Sequence, residues 1–146
     1  MRGINRITVH HEGWDLVQFT DGASSAARLE SIRNNHLERL HAGDIGYHFV
    51  IDRAGRIWAG RSLLLQGAHV RDHNEHNIGV MVLGNFNRQY PSKHQYGRLL
   101  GTLQQLMGQY QIGVDRVYTH RELGPTTCPG DILQVYMDRL RNHVLI

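Results

Sequence analysis

Thr119-His-Arg-Glu-Leu-Gly-Pro-Thr-Thr-Cys-Pro-Gly130 holds the chain's only cysteine, Cys128, eight residues after His120. Gly124, Pro125 and Pro129 bar a continuous helix between the two. Arg116 to Thr119 reads as a strand, so His120 stands at a strand end and Cys128 in a loop that can fold back onto it. A thiolate beside an imidazole is half of a zinc site. The missing ligand is expected from another strand end. Ile7-Thr-Val-His10-His11, a β-branched run closed by two histidines, offers one. Alternation along a strand lets only one of His10 and His11 point at a metal.

Three readings of Cys128 compete: buried apolar filler, nucleophile and metal ligand. As a nucleophile it would pair with His120. Pro129 follows it, however, so Cys128 does not open a helix whose free amides would lower its pKa. As ligands, His10, His120 and Cys128 would leave a fourth position for water, which is the catalytic arrangement of zinc. His69, His73 and His76 form a looser cluster, read as solvated loop or substrate contact.

The chain has 146 residues, 40% of them hydrophobic and 20% charged, which predicts one domain spanning 1–146 with a sizeable core. No apolar run approaches the roughly 20 residues of a membrane helix. A strand-like run begins by Ile4, which leaves no room for a secretory signal. One cysteine excludes an internal disulfide. A net charge of +3 suits an anionic partner, but the basic residues are scattered. A nucleic-acid-binding role would rest on that charge alone, so no nucleic-acid and no membrane partner is expected.

In chain order, Asn5 to His10 reads as a strand, then Ser24 or Ser25 caps a helix running to His41. Its apolar face is expected to carry Ala27, Ile32, Leu37 and Leu40, with Gly43 as the stop. Gly46 to Asp52 and Arg56 to Arg61 form a hairpin turned by Arg53-Ala54-Gly55. Asn77 to Leu83 is a nearly unbroken apolar run, the mark of a central strand. Pro91-Ser92 opens a helix over Lys93 to Tyr110 with Leu99, Leu103, Leu106 and Met107 inward. Val114 to Thr119 is the last strand, and Asp131 starts a helix burying Leu133, Tyr136, Met137 and Leu140. The fold class is α/β: a mixed sheet of five or six strands with three helices packed on it.

Taken in order, these blocks resemble the type-2 N-acetylmuramoyl-L-alanine amidases, a family that includes phage lysozyme-type amidases and peptidoglycan recognition proteins. The resemblance is carried by Ile7-Thr-Val-His10, Gly46-Tyr47-His48-Phe49-Val50-Ile51 and Gly55 to Arg61. Gly67-Ala68-His69, Asn77-Ile-Gly-Val80 with Leu83 to Asn87, Thr119-His120-Arg121, and Thr126-Thr-Cys-Pro-Gly130 complete it. It implies His10, His120 and Cys128 as zinc ligands, Tyr47 as the catalytic tyrosine and Thr126 as a second catalytic group, with His11 undecided. Thr126 stands where some members carry lysine, which removes a lysine-assisted mechanism. Met81 stands where muropeptide-recycling members carry glutamate, and Cys128 is retained where non-catalytic members commonly lose it.

The function implied is zinc-dependent hydrolysis of the amide between N-acetylmuramic acid and L-alanine in peptidoglycan. Zinc would polarise the carbonyl and activate water. His69, Trp58, Asn77 and the 70–76 loop are the candidates for holding glycan and stem peptide. The alternative is a peptidoglycan-binding module without catalysis. A monomer is expected, made in the cytoplasm and acting on the cell wall after release, as an endolysin or exported antimicrobial effector would.

Overall fold

Strand β1 (Arg6–His11) sits inside a five-stranded sheet in the computed structural model, which describes residues 1–146. The chain continues through α1 (Gly22–Glu38), the short pair β2 (Phe49–Ile51) and β3 (Ile57–Ala59), and β4 (Asn77–Val82). Helix α2 (Lys93–Tyr110), β5 (Val117–Thr119) and α3 (Asp131–Arg139) complete it. The sheet order is β3-β2-β4-β1-β5. Strands β2, β4, β1 and β5 run parallel, and β3 is antiparallel at the edge. All six residues of β4 are buried, as an apolar run between two neighbours and two helical layers requires. No helix is long and apolar enough to cross a membrane.

The period-two pattern of β1 sorts its side chains between two cores. Ile7 and Val9 face one way and join Ile78, Val80 and Val82 of β4 under α2 and α3, with Leu99, Leu103, Leu133 and Met137. Thr8 and His10 face the other way, the side that α1 covers. There Ile32 and Val17 close on Val50 and Met81. Met81 is the register partner of His10.

The limits of α2 are those its sequence predicts. Ser92 caps it by accepting from Gln95 N, and Gln95 answers by accepting from Ser92 N, a complete capping box. Two other expectations are corrected. Asp21, not Ser24 or Ser25, caps α1, accepting from Ser24 N at 2.9 Å, and the helix ends at Glu38 rather than His41. Its buried residues are Ser25, Ile32 and His36, while Ala27 is exposed, Leu37 half-buried and Leu40 61% exposed. The last strand is also shorter than predicted, because Val114–Arg116 coils into a single 3₁₀ turn before β5 begins.

Candidate metal centre

Three parallel strands bring their carboxyl ends to one edge, the common location for a site on such a sheet. β1 ends in His10 and His11. His10 points to the α1 side, and its Nδ1 lies 3.7 Å from Cys128 Sγ. His11 points to the opposite side, where its Nδ1 accepts from Phe86 N at 3.1 Å. Alternation therefore decides between the two, and His11 contributes its backbone instead, donating its N–H to Cys128 Sγ at 3.4 Å.

His120 follows β5 directly and sits in a 3₁₀ turn, His120–Glu122. The loop beyond it doubles back as its glycine and prolines require. Arg121 N donates to Cys128 O at 2.8 Å, and Gly130 N to Thr127 O at 2.8 Å. Gly130 has φ +90°, and a Cβ there would lie 2.4 Å from the Phe86 carbonyl carbon. Only glycine lets the loop close so tightly on the Phe86–Asn87 backbone. The result gathers one donor atom each from His10, His120 and Cys128, all within 4.8 Å of one another.

A tetrahedral zinc with bonds of ~2.0 Å to nitrogen and ~2.3 Å to sulfur spaces those donors about 3.5 Å apart. The 3.7 Å between His10 Nδ1 and Cys128 Sγ fits this. The tautomer of His10 fits as well. His69 Nε2 donates to Asn77 O at 3.0 Å, which leaves His69 Nδ1 as an acceptor for His10 Nε2–H at 2.8 Å. His10 Nδ1 then carries the free lone pair, turned toward Cys128. Burial, reinforced by the neighbouring His69, His120 and His11, holds His10 well below its ordinary pKa, and burial alone lowers His120. Both imidazoles are thus neutral, as ligands must be. Burial pushes the Cys128 thiol up to about 12, against the His11 N–H and Arg121, which favour the thiolate. Burial thus disfavours the free thiolate despite Arg121, which weighs against the cysteine-nucleophile reading.

Tyr47 precedes β2, and its ring centroid lies 5.1 Å from that of His10. Burial raises its phenol well above the ordinary value, and Cys128 and Glu12 add to the shift, so it is a proton donor and not a phenolate. Thr126 is exposed at the mouth of the cysteine loop, where its Oγ1 accepts from Cys128 N at 3.2 Å. Its hydroxyl proton stays available.

The expected substrate contacts fare differently. His69 is buried and stands behind His10 as its hydrogen-bond partner. Asn77 is fully buried; its Oδ1 accepts from Thr8 Oγ1 at 3.0 Å and its Nδ2 donates to His73 O at 2.9 Å, which leaves nothing for a ligand. Trp58 lines a separate crevice under α1 with Leu29 and Arg33, its Nε1 donating to Asp52 Oδ2 at 3.0 Å. In the 70–76 loop, Asn74 Oδ1 accepts from His69 N and Val70 N, and His76 turns to Arg2 O.

One functional element escaped sequence reasoning. Glu122 Oε1 accepts from Thr119 N, and its carboxylate is gripped by both Arg141 nitrogens at 2.6 and 2.7 Å. This ties the His120 turn to the chain beyond α3. Thr119-x-x-Glu122 is a capping-box pattern, and it was the available signal.

Residues 1–131 match the family model described as N-acetylmuramoyl-L-alanine amidase. The chain belongs to that family. It is 34% identical over 123 residues to peptidoglycan-recognition protein SC2 of Drosophila melanogaster, covering 84% of this chain and 66% of that protein. It is 33% identical over 132 residues to an N-acetylmuramoyl-L-alanine amidase of Sus scrofa, covering 86% of this chain but 21% of the longer protein. The fold is similar to that of the amidase LysC from Clostridium intestinale URNW, with a TM-score of 0.80 at 27% identity over 95% of this chain and 85% of that one. The sheet and its three helices are thus those of the amidase fold.

Proposed function

We propose that the chain is a zinc amidase that cleaves the bond between N-acetylmuramic acid and L-alanine in peptidoglycan. One observation carries this reading: His10 Nδ1, His120 and Cys128 Sγ converge at the strand ends with His10 fixed in the ligating tautomer. The amidase family model and the amidase-named relatives support it. The bound zinc would supply Lewis acidity at the scissile carbonyl and a nucleophilic water at neutral pH.

The protein's own groups do the rest. His69, anchored on Asn77 O, keeps the His10 ring in place. The Glu122–Arg141 clamp does the same for the His120 turn. Tyr47 stays protonated and beside His10, so it can donate to the oxygen that gains charge as the carbonyl becomes tetrahedral. Thr126, exposed at the mouth of the cysteine loop, can donate to the same oxygen. Each such donor is worth about 3–4 kcal/mol in the transition state.

The test is incubation with purified peptidoglycan and mass spectrometry of the soluble products. Stem peptides with a free L-alanine amino end are expected, and Cys128→Ser should abolish them. Binding to peptidoglycan without release would replace the hydrolase with a recognition module.

A further inference from the structure

We infer that the groove between α2 and the turn joining β2 to β3 binds a linear polyol phosphate, a glycerol-phosphate polymer being the simplest, through Arg53, Lys93 and Arg98. α2 packs on the sheet face opposite the one that carries His10. This groove and the metal centre can therefore be filled independently, whether or not the chain cleaves peptidoglycan.

Residues 53–71 and 76–114 contain no aspartate or glutamate. The fold lays the first stretch against the second. Ser92 Oγ donates to Arg53 O at 2.5 Å, and Arg98 Nε donates to Gly55 O at 2.8 Å. Between them opens a groove of about 560 Å³, lined by Ala54, Gly55 and Ile57 on one side and by α2 from Lys93 to Gln105 on the other.

The cations of this groove are unmatched. Lys93 and Arg98 are exposed, and neither pairs with a carboxylate. The bond from Arg98 Nε to Gly55 O steadies the guanidinium and leaves both Nη groups free to grip an oxyanion. Arg53 stands at the rim, one residue before Ala54, with no carboxylate partner and its Nη1 3.5 Å from Tyr90 O. Asp52, the acid next to it in sequence, is buried and already pairs with Arg56 at 3.1 Å. A concave surface with unpaired cations and no acid sits at positive potential and draws in anions.

Shape and lining select the kind of anion. From Lys93 to Gln105 the groove follows α2 for about 18 Å at ~1.5 Å per residue, longer than one phosphate or carboxylate can fill. A chain with repeated charge uses that length. Single-stranded nucleic acid is such a chain, but proteins hold it by stacking its bases on aromatic rings, and no aromatic side chain lines this groove. An acidic membrane presents a flat layer of charge, which a recessed groove meets only at its rims. A phosphodiester chain without bases matches the lining: phosphates against Lys93 and Arg98, and the hydroxyls between them against His94 and Gln105.

The test is fluorescence anisotropy of a labelled glycerol-phosphate polymer titrated with the full chain. Each contact with a single-stranded phosphodiester chain contributes about −0.7 to the slope of log K against log salt, so three cations give about −2. Binding should therefore weaken roughly twentyfold between about 50 and 200 mM salt. Lys93→Gln together with Arg98→Gln should cut affinity at least about tenfold at ~50 mM salt and reduce the slope to about −0.7. Gly101→Glu puts a carboxylate into the groove at a position where a Cβ meets nothing within 4 Å, so it should abolish binding without lowering the unfolding temperature. No polymer binding at about 50 mM salt, or an affinity unmoved in both variants, overturns the site. Equal competition by monomeric glycerol phosphate at matched phosphate concentration overturns it too, by making the groove a single-phosphate site. So does tighter binding of single-stranded oligothymidine or of phosphatidylglycerol vesicles, which would assign the groove to nucleic acid or to a membrane.

Discussion

His69→Ala should weaken zinc binding by about ten- to a hundredfold without touching a ligand. The wild-type ring closes a chain of two buried hydrogen bonds, His10 Nε2 to His69 Nδ1 at 2.8 Å and His69 Nε2 to Asn77 O at 3.0 Å. Alanine removes both and leaves a buried donor on His10. That donor can then rotate, and Nδ1 no longer faces Cys128 by default. An unmatched buried group costs about 1–3 kcal/mol, and a tenfold to hundredfold loss of affinity corresponds to about 1.4–2.8 kcal/mol. The metal-free protein should lose about 2 kcal/mol as well, a fall in Tm of roughly 4–8 °C for a chain of this size. The assay is competition with a chromophoric chelator, alongside thermal unfolding with and without zinc. An affinity within about twofold of wild type would mean that His10 holds its ligating orientation unaided, without His69.

Tyr47→Phe should lower turnover at least about a hundredfold with zinc still bound; near-wild-type turnover in steady-state cleavage would take the hydroxyl out of the reaction. Gly130→Ala places a Cβ 2.4 Å from the Phe86 carbonyl carbon in a residue with φ +90°, so it should destabilise the chain by more than about 1 kcal/mol and loosen the Cys128 loop, as denaturant unfolding and zinc titration would show. Burial works against the ionised form of Asp52, but hydrogen bonds from Trp58 Nε1, Arg56 N and Arg56 Nη1 outweigh it and hold the carboxyl below its ordinary range. A depressed carboxyl stabilises the fold above the unfolded value of about 3.9 and loses that contribution as pH falls through the lower folded value. Asp52→Asn should therefore lower stability at pH 7 and flatten its decline below about pH 4, measured by unfolding across that range.

Much of this architecture was legible in the residues because their patterns are redundant. β4 is a run of apolar residues with nowhere to lie but between two strands, and α2 carries both a cap and a regular apolar face. α1 was misplaced because its inward face is weakly apolar: it buries Ser25 and His36 beside Ile32, while Leu40 points to solvent. A pattern built on hydrophobicity cannot see such a face, though Asp21 ahead of it was a readable cap. The three candidate ligands could be found because strand ends and one lone cysteine narrow the choice. The roles of neighbouring polar residues could not, since sequence does not say which face of an element is covered. Asn77 looked like a groove residue and is sealed between β1 and the 73–77 turn. Trp58 sits on the right strand pair but in the crevice under α1.

In the proposed reaction one zinc at His10, His120 and Cys128 drives amide cleavage. Its most direct measurement is a titration of metal-free protein with zinc, following bound metal and release of L-alanine-ended stem peptides together. Cleavage should be absent without metal, rise in proportion to zinc bound and saturate at about one zinc per chain. Full cleavage without metal, or stoichiometric zinc with no cleavage, would contradict it.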